Sequence, residues 1–141
     1  MKKILFLVLT VVAVFFVNPV SADTLYMADI SGAQETPDPI DTPAVGLAVL
    51  SLNADETQLT VVVNGFNIDA TASHIHRAPA GESGPVVFSI GTGYPTPQVR
   101  VWAIPADMVE ALKNGELYVN LHTTQYPGGE IRGQVSPVQV P

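Results

Sequence analysis

The sequence predicts an all-β domain, an antiparallel Greek-key β-sandwich or flattened barrel of seven to eight strands with one short helix. Three observations carry this. Short segments alternate apolar and polar residues, turn-forming Gly, Pro and Asn separate them at near-regular spacing, and a helical period shows in one place only.

Residues 24–30 (TLYMADI) open the series as a strand that Ser31-Gly32 ends. The segment 33–42, AQETPDPIDT, carries prolines among acids and reads as a surface loop. In 44–52, Val45, Leu47, Val49 and Ser51 share one face, and 58–63 (QLTVVV) returns after the turn at 53–56, giving an antiparallel hairpin. Short strands are expected at 72–76, 85–90 and 99–103, with Phe66, Phe88 and Trp102 expected in the core. Over 105–113 the period changes: Met108, Val109 and Leu112 fall at helical spacing, Asp107 lies in the first turn and Asn114-Gly115 stops the helix. A final hairpin follows. Leu117, Val119 and Leu121 alternate with Glu116, Tyr118, Asn120 and His122, and across the 123–129 loop Ile131 and Val135 alternate with Glu130, Arg132 and Gln134.

The start of the chain predicts an address. Lys2 and Lys3, the apolar run 4–17 and the small residues Val20 and Ala22 make a secretory signal peptide cleaved after Ala22. The apolar run is shorter than the roughly 20 residues of a spanning helix. A secreted or periplasmic single domain over 23–141 is therefore expected, with no membrane association after cleavage. Four basic residues would then face thirteen acids, a net charge of 4 − 13 = −9. That balance argues against nucleic acid and anionic membranes as partners and is compatible with cations. Without cysteine there is no disulfide and no thiolate chemistry.

Three histidines carry the candidate chemistry. His74 and His76, two apart on a strand, point to the same side of the sheet. If that strand neighbours the last hairpin, His122 joins them on one outer sheet face. Neutral imidazoles in this arrangement suit a copper or zinc ion. Tyr118, Asn120, Glu130 and Arg132 are the expected supporting residues, and Glu130 or Asp69 could ligate or orient a ligand. The alternative reading is structural: His74 and His76 shape the turn by hydrogen bonds, His122 pairs with Glu130 or Thr123, and Glu130 bridges to Arg132 or Arg77. No catalytic residue is assigned. The sequence has no G-x-S-x-G elbow, no Walker motif and no dinucleotide-binding motif.

Three stretches, SGAQETP, ASHIHRAPAGESGPVVF and LKNGELYVNLHTTQYPGGEIRGQV, resemble the CHRD domain, the module named from chordin, over about residues 25–135. The resemblance implies an extracellular or periplasmic β-rich module. In chordin-like proteins it accompanies growth-factor-binding modules. A fainter likeness is to copper/zinc superoxide dismutase, which also pairs an H-x-H strand with a late Gly-Gly and Arg segment. It implies metal ligation by His74, His76 and His122 and anion guidance by Arg132. Three histidines fall short of that family's two metal sites, and its disulfide is impossible here. The expected function is an exported, non-enzymatic binding or structural module holding copper or zinc. The alternatives are a copper-dependent, dismutase-like redox enzyme and a metal-free scaffold for an extracellular or periplasmic protein partner, docking through a sheet edge or the acidic loop 34–41.

Overall fold

The computed structural model describes residues 22–92 and 97–139. The expected leader, Ala22 apart, lies outside the described residues, as does part of the 91–97 loop.

The strands are β1 (Thr24–Ser31), β2 (Val45–Leu52), β3 (Gln58–Phe66), β4 (Ala72–Arg77), β5 (Val86–Gly91), β6 (Gln98–Ala103), β7 (Leu117–His122), β8 (Ile131–Gln134) and the two-residue β9 (Ser136–Pro137). A 3₁₀ turn, Gly32–Gln34, follows β1, and the helix α1 spans Ala106–Lys113 between β6 and β7. Every ladder is antiparallel, and the strand order is β5-β4-β7-β8-β1-β2-β3-β6, with β9 added beside β1. The end strands β5 and β6 stand in contact, with Phe88 and Trp102 rings 5.1 Å apart across the seam, so the sheet curls into a nearly closed, flattened barrel. Counting around the barrel from β6, the chain returns past β5 and β4 to place β7 on the far side of β4. This is the Greek-key return.

Alternation puts one residue of each pair inside. Tyr26, Ala28 and Ile30 of β1, Ala48, Leu50 and Leu52 of β2, and Leu59, Val61 and Val63 of β3 are buried in one cluster with Ile75, Leu117, Val119, Leu121 and Ile131. The helix adds Val109, Ala111 and Leu112. It begins on Pro105, whose missing N–H costs nothing there, and ends at Gly115, whose φ of +70° is open to glycine.

Two sequence expectations change. The β3 strand runs on through Asn64-Gly65 to Phe66, paired to Val45, and Phe66 is 53% exposed rather than in the core. Its alternation places it on the outer face with Asn64 and Val62. The segment 33–42 is not simply a solvated loop. It folds over the sheet and buries Glu35.

Candidate metal centre

The β4–β7 ladder pairs Ala72 with His122, His74 with Asn120 and His76 with Tyr118. The β7–β8 ladder pairs Asn120 with Arg132 and Tyr118 with Gln134. Period-two alternation then sets His74, His76, His122, Asn120, Tyr118, Arg132 and Gln134 on one outer face of three adjacent strands. Against β5, β4 has register shifts on either side of the His74-Ile75 pair, while its ladder to β7 is regular. Such irregularities re-aim side chains without breaking the sheet.

This outer face is not open. All six residues of β7 are buried, and Arg132 is 2% exposed. Three loops cover it. From the loop just after the 3₁₀ turn, Thr36 Oγ1 accepts a bond from Arg132 Nη1 (2.8 Å) and Glu35 Oε1 accepts one from Asn120 Nδ2 (2.6 Å). From the β4–β5 turn, the carbonyl of Pro79 accepts from Arg132 (3.4 Å) and that of Ala78 from Gln134 (3.0 Å). The hydroxyls of Thr36 and Ser83 join the two covering loops at 2.7 Å. From the β7–β8 loop comes the carbonyl of Pro127.

The three histidines meet under that cover. His74 Nδ1 and His122 Nε2 are 3.0 Å apart, and one ring nitrogen from each of the three lies within 4.8 Å of the others. The backbone fixes two tautomers. His76 Nδ1 lies 2.9 Å from the Gly84 carbonyl and His122 Nδ1 lies 3.1 Å from that of Pro127. A carbonyl only accepts, so both Nδ1 atoms carry the proton and both Nε2 atoms present a lone pair. His122 Nε2 therefore accepts from His74 Nδ1–H, and His76 Nε2 is buried with no hydrogen-bond partner. One bridging proton and one unanswered lone pair occupy the centre of the cluster. A cation that replaced the proton would find three imidazole nitrogens facing it.

Electrostatics favour the neutral rings. Burial pushes all three imidazoles below their ordinary value of 6.5; His76 further lowers His74, the Arg132 charge acts in the same direction on His76, and both neighbouring histidines do so on His122. The carbonyl bonds from Gly84 and Pro127 oppose this, more weakly than burial acts. Behind His76 stands a layered support. The Tyr118 ring stacks on it at 4.8 Å and 14°, and the Arg132 guanidinium lies 3.6 Å over the Tyr118 centroid. The Tyr118 hydroxyl accepts from the N–H of Gly84, the same residue whose carbonyl orients His76 (3.2 Å). A Cβ at Gly84 would collide with the Arg77 carbonyl oxygen, so the tight approach needs glycine.

Of the expected supporting residues, Tyr118, Asn120 and Arg132 line the histidine face, and Glu130 does something else. Its two oxygens accept the hydroxyls of Thr42 and Thr123, each at 2.7 Å, which ties the 33–44 segment to the last hairpin. His122 pairs with neither Glu130 nor Thr123 but with Pro127 and His74. Glu130 bridges to neither arginine: Arg77 pairs with Glu116 (3.3 Å) and Asp107 (3.6 Å), and Arg132 makes no ion pair among the described residues. Buried and pinned from two sides, Arg132 is not placed as a surface guide for anions. Glu35 was hidden from sequence reasoning by its acidic, proline-rich surroundings. Burial raises its carboxyl above the ordinary 4.5, against the Asn120 bond and the Arg132 charge. The backbone carbonyls of Gly84 and Pro127 were equally invisible, their only trace being the turn residues around them.

The family model for the CHRD domain matches residues 26–135. No curated protein and no solved structure matches the chain.

Proposed function

The chain belongs to the CHRD domain family, and from that premise and the histidine geometry we propose that it is an exported module that binds one copper or zinc ion through His74, His76 and His122. The observation that carries this reading is the buried, unpartnered Nε2 of His76 beside the short His74–His122 contact. A buried acceptor without a partner has lost its water without replacement, and a bound ion would supply that replacement at His76; Asn120 Oδ1, on the same face, is also unpartnered. Nδ1–H donation to backbone carbonyls is also how ligating histidines are held and their free nitrogen made more basic. Ligands of one tetrahedral ion stand about 3.3 Å apart for metal–nitrogen bonds of roughly 2.0–2.1 Å. The His74–His122 pair, at 3.0 Å, already stands near that spacing, and all three ring nitrogens lie within 4.8 Å of one another. Bound there, the ion would cross-link β4 and β7. The acidic surface and the basic-plus-apolar start of the chain support an exported, cation-tolerant protein.

Calorimetric titration of the chain from Asp23 onward with Cu(II) and with Zn(II) tests the reading. One equivalent should bind with a Kd below about 10 µM, or about 7 kcal/mol, and His122→Ala should abolish it. Weaker binding of both metals would leave a metal-free scaffold.

A further inference from the structure

The other half of the barrel's outer surface, on β1, β2, β3 and β6, has the opposite character. Register aligns its outward residues in rows across the four strands: Met27–Val49–Val62–Val99 in the middle, Leu25–Ser51–Thr60–Val101 on one side, and Leu47 with Asn64, then Val45 with Phe66, on the other. The nine large apolar side chains in these rows are each between 36% and 53% exposed. An antiparallel sheet with one solvated face normally carries polar residues there. This one carries valines.

We infer that this face is where a second copy of the chain packs, as a two-fold, sheet-on-sheet dimer. Two observations select that occupant. The first is charge. The face holds no basic residue, and its two acids, Asp29 at the Leu47 row and Asp23 accepting the Ser51 hydroxyl, stand toward β1, leaving the outward residues of β3 and β6 uncharged. A chain that is strongly acidic elsewhere thus has an uncharged strip along β3 and β6 on which two copies can meet with little opposed charge. The second is area. At about 150–200 Å² for a fully exposed large side chain, the nine expose on the order of 600 Å². A two-fold pair would cover on the order of 1,200 Å², the lower bound of specific interfaces, and the patch is as large as monomers ordinarily tolerate. The same rows serve both partners in a two-fold contact, so the central row would cross its own symmetry mate. The histidine centre lies on other strands and is untouched by the contact.

Sedimentation equilibrium on the chain from Asp23 onward, over about 1–200 µM, a range that brackets a weak specific interface, tests this. A reversible dimer is expected. Val62→Glu, in the middle row, should weaken it by at least about 100-fold with unchanged circular dichroism. If Val62→Glu does not fold, Val101→Glu at the outer strand supplies the same test. Val86→Glu, about as exposed as Val101 but on β5, should leave dimerisation intact. A monomer throughout the range, or a dimer indifferent to both face substitutions, would overturn the inference, whatever else then covers the face.

Discussion

The two halves of the barrel's outer surface are built from similar strands and treated in opposite ways. On β4, β7 and β8 the outward residues are polar, and three loops seal them from water. On β1, β2, β3 and β6 they are apolar and left bare. A strand segment has two faces, and only one is needed for the core. The covered half uses its second face for a hydrogen-bonded network in which charge is held without ion pairing: Arg132 is satisfied by Thr36, Pro79, Gln134 and the face of Tyr118. Stability there depends on every partner being present, because a buried polar group without one is costly. On the bare half each side chain is nearly independent.

The sharpest break of that contrast is a pair of substitutions. Arg132→Ala removes a buried cation from three acceptors and should destabilise the chain by about 3 kcal/mol. Val45→Thr on the bare face should cost less than about 0.5 kcal/mol. Urea unfolding at low protein concentration reads both, and equal costs would mean that the covered network contributes little. Next in size, Gly84→Ala forces the β4–β5 turn away from Arg77 and displaces the carbonyl that orients His76. Metal affinity by titration should fall about 10–100-fold, with copper spectra altered, while Gly81→Ala, whose Cβ would meet nothing but whose φ of +81° strains an alanine, should lower stability and leave affinity unchanged.

The smallest effect is in pH. The histidines have depressed folded values, so the stability they contribute is present above 6.5 and is lost as pH falls through those lower values. Glu35 has the opposite sign. Its carboxyl is raised by burial, so its contribution is complete below 4.5 and is lost as pH rises through the higher folded value. Thermal unfolding of the metal-free chain across pH 4–7 should therefore show the acid loss from the histidines partly offset by Glu35. Glu35→Gln should remove that offset and steepen the decline. An unchanged slope would show that Glu35 titrates normally.

Much of this was legible in the residues. Alternation in LYVNLH and EIRGQV set the polar and apolar sides of the last hairpin, and the H-x-H spacing put His74 and His76 together. The meeting with His122 was conditional on β4 pairing with β7, a contact between segments more than 40 residues apart that no local pattern encodes. Glu35 read as solvent-exposed for the same reason: composition reports what surrounds a residue along the chain, not what folds onto it. Phe66 misled in the other direction, since hydrophobicity alone does not say which face of a sheet a position occupies.

The sequence by itself determined the strands, their turns, the single helix and the family, because period-two patterning and turn chemistry act within a few residues. Only the tertiary structure decided that one outer face is sealed and the other bare. It also decided which backbone carbonyls set the histidine tautomers. Those outcomes depend on long-range strand order and on loops folding back across the sheet, where the partners are chosen by geometry in space and not by spacing along the chain.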